Sequence, residues 1–236
     1  MSSPLLKDGI FESPISSDEV MTVSGTINKS IILWFFLAIS AFYSWTHPNI
    51  MSLMFPILIA AFALAVISIF KKSASPFLAP AYAICEGLIL GAVSFYFEKS
   101  YPGVAVNAIL LTICVLFCML AAYKTGILKS TPKFRKVVIL STFAIASVYI
   151  IDIFLNIFGA GNFPYIHDSS GIGIIISFII VAIASLNLII DFDLIENGAR
   201  SGAPKYMEWY SAFALMVTLV WLYLEMLRFL TKMRRA

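Results

Sequence analysis

Seven runs of apolar residues, each about twenty long, follow one another along the chain with short polar breaks between them. A hydrocarbon core about 30 Å thick is crossed by about 20 residues of α-helix, so every run is long enough to span a membrane. Bounded by charges, Pro, Gly or aromatic residues, the runs predict helices at 28–46, 51–70, 77–97, 102–123, 137–158, 171–193 and 208–230. Trp45, Tyr101, Tyr206, Trp209 and Tyr210 fall near predicted ends, where amphipathic rings prefer the headgroup layer. The pattern predicts an all-α integral membrane protein, a seven-transmembrane-helix bundle over 28–230, with a polar N-terminal tail over 1–27 and a basic C-terminal tail over 231–236. The N-terminal tail carries Lys7, Asp8, Glu12, Asp18 and Glu19 among serines and prolines, without the order of a cleaved signal, and reads as short and mobile.

Composition sharpens this picture. The 236 residues are 61% hydrophobic and 12% charged, and the mean hydropathy is +0.94, which leaves no material for a separate soluble domain. Net charge is only +3 and unevenly placed, so it reads as an orientation signal and excludes nucleic acid as a partner. With the N-terminus in the cytoplasm, the cytoplasmic segments collect Lys7, Lys29, Lys71, Lys72, Lys124, Lys129, Lys133, Arg135, Lys136, Arg200 and Lys205, and the opposite loops collect Lys99. Lys232, Arg234 and Arg235 oppose that assignment; either the earlier helices dominate, or the last segment is re-entrant or a partial span. Cys85, Cys114 and Cys118 lie inside apolar runs as small hydrophobes, so no disulfide, metal site or cofactor is expected. Ala83, Gly87 and Gly91 recur at four-residue spacing, the pattern that lets two membrane helices approach closely.

Ionisable residues at membrane depth cost about 2.5–3.5 kcal/mol each on insertion scales, so they face the bundle interior and mark pathways or relays. Here they are Glu86, Asp152, Asp191, Asp193, Glu208, Glu225 and Arg228. Glu86 is expected near the midplane, Asp152, Glu225 and Arg228 in the outer half, and Asp191, Asp193 and Glu208 at the cytoplasmic ends of helices six and seven. Asn187 stands four before Asp191, Tyr149 and Asn156 flank Asp152 at helical spacing, and Ser211, Thr218 and Glu225 form a seven-residue stripe with Glu208 close to it. Asp193 points elsewhere and reads as a solvated interfacial charge. Glu86, Asp152 and Glu225 are thus expected to line a cation pathway, with Asn187, Asp193 and Arg228 in support. Blander readings stand beside these: an intrahelical Glu225–Arg228 ion pair, and Glu208 as a carboxylate favoured at a helix N-terminus. Two acids held close together titrate as a pair, so an Asp191–Glu208 contact predicts a proton-sensitive latch.

The stretches SPFLAPAYAICEGLILGAVS, LIIDFDLIENGARSGAPKYMEWYSAF and VTLVWLYLEMLRFL together resemble the bacterial branch of the Bax-inhibitor/YccA family, the transmembrane Bax-inhibitor-motif family, over about residues 28–230. The resemblance implies a multi-pass protein of the bacterial inner (plasma) membrane, built as a central helix surrounded by six. It also implies a pH-sensitive leak for Ca²⁺ or another cation, governed by an aspartate from each of the last two helices. The first maps onto Asp191. The second falls on Glu208, which fits the depth of Asp191, or on Glu225, which fits the local motif but lies roughly 25 Å farther along the helix; depth favours Glu208. Both candidates are glutamate here, and helix two has no arginine of the kind that serves as counter-ion in some relatives.

Other YccA-like members restrain a membrane-bound AAA protease, which gives a second expectation: a regulator of such a protease or of a stress pathway, without transport. A proton-coupled carrier is a third. No enzyme is expected: Gly-x-Ser-x-Gly and His-Glu-x-x-His are lacking, His47 and His167 fall in outer loops, and helix seven has no internal lysine for retinal, Lys205 and Lys232 flanking it.

Overall fold

The structure, a computed structural model, describes residues 20–159, 161, 163 and 168–236. Lys7, Asp8, Glu12, Asp18, Glu19 and His167 lie outside the described residues. Seven helices are long and apolar enough to cross a membrane: α1 (Val23–Thr46), α2 (Met54–Phe70), α3 (Ser75–Ser100), α4 (Val104–Lys124), α5 (Pro132–Ile157), α6 (Gly171–Arg200) and α7 (Met207–Arg235). The described residues contain no strand. The protein is a multi-pass membrane protein.

Local chemistry explains where the helices begin. Thr22, Thr131 and Ser170 each cap a helix by accepting a hydrogen bond from the backbone N–H three residues on, and Pro132 takes the first position of α5, where its missing N–H costs nothing. Gly103, at φ 84°, makes the left-handed turn between α3 and α4.

Most boundaries shift by a few residues, α5 starting at Pro132 and not at 137, and three of the differences have a clear cause or consequence. α1 starts at Val23, inside the expected tail, because Met21 donates its N–H to the Ala203 carbonyl at 2.7 Å and Val20 pairs with Pro204, lacing this segment onto the α6–α7 turn. α6 continues past 193 to Arg200, helped by the Glu196–Arg200 ion pair one turn apart. α7 is one unbroken helix ending at Arg235, long and apolar enough to cross a membrane. Its last basic residues are fastened and do not form a loose tail: Lys232 is buried and donates to the Gly173 carbonyl at 3.1 Å, Arg234 donates to Pro102 O, and Arg235 donates to the Tyr101 hydroxyl with its guanidinium over that ring.

The core sits around α7, which packs against α1, α3, α4 and α6 and is tied to α5 by a Tyr149–Glu225 hydrogen bond. α1 and α3 run side by side in the most extensive interface of the bundle. Gly87 and Gly91 make it possible: a Cβ on Gly87 would stand 2.3 Å from the Leu37 carbonyl oxygen, and one on Gly91 2.1 Å from that of Ala41.

Candidate functional site: carboxylates along the central helix

Glu208 lies in the first turn of α7, 0% exposed. Its Oε1 accepts hydrogen bonds from the Thr22 backbone N–H at 3.0 Å and from the Thr22 hydroxyl at 2.9 Å, while Lys205 Nζ stands 3.5 Å away. Thr22 is the N-cap of α1, so one carboxylate serves the positive ends of two helices, α7 and α1. Gly25 leaves the space it occupies; a Cβ there would stand 2.0 Å from Oε1. Around this joint, Lys29 lies over the Trp209 ring and Lys72 over the Tyr210 ring, each with Nζ 5.2 Å from the ring centre.

The structure does not bring Asp191 and Glu208 together as a pair. Because α6 runs on to Arg200, Asp191 lies nine residues from the helix end, about 13 Å deeper than that end. Its carboxyl meets the Thr218 side chain of α7, and Thr218 stands ten residues, about 15 Å, beyond Glu208. Asp191 Oδ2 is buried and has no hydrogen-bond partner within the protein. The group facing Asp191 on α7 is therefore a hydroxyl, neither of the two glutamates considered.

Glu225 is 2% exposed and saturated with donors. The Tyr149 hydroxyl lies 2.8 and 2.9 Å from its two oxygens, Trp221 Nε1 donates at 3.2 Å and Arg228 at 3.1 Å, with the Arg228 guanidinium over the Tyr149 ring. The intrahelical ion pair is present, and the cluster acts as a clamp between α5 and α7. Tyr149→Phe is expected to lower stability by about 2 kcal/mol, the scale of one hydrogen bond to a charged group, measured as a lower unfolding temperature in detergent. An unchanged temperature would show that the clamp carries no load.

Asp152, also buried, accepts from the Phe163 backbone N–H at 2.8 Å and so holds the connection after α5. Asp193 pairs with Arg135 of α5, and Asn187 donates to Thr142 of α5 at 2.9 Å. Glu86 is half-buried and bonded to the Tyr82 side chain one turn earlier. Tyr82 packs edge-on against Phe213, and Ser94 bonds Tyr223, so Glu86 on α3 stands between the levels of Leu215 and Val217, within about one turn of Thr218 and hence of Asp191. Of the expected pathway carboxylates, Asp152 and Glu225 hold elements in place, while Glu86 stands in the middle of the bundle within about one turn of the level of Asp191, which was expected in the latch.

Two participants, Thr22 and Tyr123, were not singled out from sequence, and a third, Thr218, only as a member of a stripe. Thr22 carries the ordinary N-cap signature ahead of a helix, but its long-range partner Glu208 leaves no local trace. Thr218 is one hydroxyl in the α7 stripe. Tyr123 donates to Glu196 at 2.5 Å, joining α4 to α6.

Among the described residues, no group of three or more His, Cys, Asp or Glu lies close enough to hold a resident metal ion. A family model described as Bax inhibitor 1 like matches residues 4–235. No curated protein and no solved structure matches the chain.

Proposed function

This chain belongs to the Bax inhibitor 1-like family, and we propose that it is a gated leak for cations, Ca²⁺ among them, with Asp191 as the central ligand. The observation that carries this reading is Asp191 Oδ2, buried at the α6–α7 contact without a partner in the protein. A buried carboxylate oxygen with no donor is expensive in a low-dielectric interior unless a cation, a proton or water serves it. Asp191 can therefore do two things: lend negative charge to a passing cation when ionised, and withdraw it when protonated. The pH response is assigned to this single residue instead of an acidic pair. Glu86, within about one turn of that level on α3, is the second ligand candidate.

The protein is assigned to a bacterial inner membrane with its N-terminus cytoplasmic, which places Glu208 and the α6–α7 turn on the cytoplasmic side. Reporter fusions after residues 72, 129 and 203 are expected to report cytoplasmic, and a fusion after residue 236 the opposite side. A 124–136 loop reporting outside would invert the assignment.

Purified protein in liposomes loaded with a Ca²⁺ indicator tests the transport reading itself. Ca²⁺ entry above protein-free vesicles is expected. Vesicles that stay tight at every pH would favour the regulator of a membrane-bound AAA protease, whereas Ca²⁺ entry that requires an opposing proton gradient would favour the proton-coupled carrier.

A further inference from the structure

A cavity of about 570 Å³ opens sideways from the bundle between α1, α3, α4 and α7, bordered by Trp34 and Trp45, Gly91, Ile113 and Val220. It does not touch Asp191, Glu208 or Glu225. We propose that it is a binding site for one acyl chain of a phospholipid drawn from the leaflet at the C-terminal end of α1. Three features define this occupant, independently of the leak reading.

The first is extent. Along α1 the crevice runs from Trp34 to Trp45, eleven residues or about 16 Å, which is half of a hydrocarbon core about 30 Å thick. Trp45 stands one residue before the end of α1, at the interface, so the crevice reaches from headgroup level to the midplane. That is the depth of one leaflet.

The second is chemistry. The hydroxyls that reach the crevice are already engaged: Ser94 with Tyr223 at 2.6 Å, and Thr112 with the Ala108 carbonyl at 2.7 Å. The walls are otherwise apolar, so the site selects hydrocarbon over water, ions or polar solutes. The volume lies within the range of sites that enclose small ligands.

The third is charge at the open end. Arg234 and Arg235 are exposed and docked on the turn at Tyr101 and Pro102, seven residues or about 10 Å beyond Ser94. Each uses part of its guanidinium there, and the remaining donors suit a lipid phosphate. Phosphate at that turn and an acyl chain below it match the layout of one phospholipid, which a partner helix would not.

Native mass spectrometry tests this directly, on the full chain purified in mild detergent with added phosphatidylglycerol or phosphatidylcholine. One retained phospholipid per chain is expected, with phosphatidylglycerol preferred. Ala38→Phe and, separately, Ile113→Phe, each filling the crevice from an exposed position, should reduce retention about tenfold while elution and helicity stay unchanged. Joint Arg234→Ala and Arg235→Ala should remove the preference for phosphatidylglycerol. Full retention in both crevice variants would overturn the proposal. So would a dimer of the wild type that Ala38→Phe abolishes, since a second copy would then be the occupant.

Discussion

Gly91→Leu is expected to abolish recovery of folded protein, and Gly91→Ala to cost about 1–3 kcal/mol, the usual cost of added methylenes in a packed interior. Membrane helices gain no hydrophobic drive from meeting one another, since lipid is as apolar as leucine. Their association depends on close contact, and α1 and α3 achieve it where Gly87 and Gly91 let the two backbones approach. A Cβ on Gly91 would stand 2.1 Å from the Ala41 carbonyl oxygen and 2.8 Å from its carbon, both backbone atoms that no rotamer change can move. The helices must separate, and with them the outer wall of the core. Gly171→Ala provides the control, because a Cβ there meets nothing within 4 Å. Thermal unfolding in detergent should place Gly91→Ala well below wild type and Gly171→Ala beside it. Equal unfolding of all three would mean that α1 and α3 are not held by this contact.

Glu208→Ala is expected to destabilise the protein by about 3 kcal/mol, from the loss of two charge-assisted hydrogen bonds worth about 1.5–3 kcal/mol each, partly offset by water reaching the site. The Thr22 N–H and hydroxyl would lose their acceptor, and α1 its connection to α7. Lys205 is half exposed and keeps its hydration, so no stranded buried charge adds to the cost. Glu208→Gln keeps a carbonyl oxygen for Thr22 and should cost about 1 kcal/mol, the scale of an uncharged hydrogen bond. Hydrogen exchange of the amides at Thr22 and Gly25 separates this local joint from general loosening. Those amides should exchange faster in Glu208→Ala while amides in the middle of α7 remain protected. Uniform acceleration along α7 would instead make Glu208 a determinant of the whole helix.

The spans were legible because apolar runs of this length have one use. Gly87 and Gly91 were legible for a related reason: spacing on a helix states which residues share a face, and small residues on one face state a close approach. The depth of Asp191 was not legible. Ending helix six at 193 put it at the rim beside Glu208, whereas Glu196 and Arg200 extend α6 by two further turns and carry Asp191 inward. Partners were harder still. Glu208 finds Thr22 across 186 positions of sequence, Glu225 finds Tyr149 across 76, and Asp193 finds Arg135 across 58. Helix periodicity fixes a face, but only the packing of other helices decides what that face meets. The same limit explains why Asp152 and Glu225 looked like ligands: an acid at membrane depth signals a satisfied interaction, and here donors from other elements supply it.

The leak past Asp191 is tested most directly by Ca²⁺ entry into indicator-loaded liposomes across a pH series, with wild type and Asp191→Asn side by side. The amide is nearly isosteric and keeps an oxygen for Thr218, so the bundle should survive while the titrating charge is gone. Wild-type flux that varies with pH, and flux in Asp191→Asn that is at least about tenfold lower and flat with pH, is the predicted result. Wild-type rates with an unchanged pH profile in Asp191→Asn would contradict it.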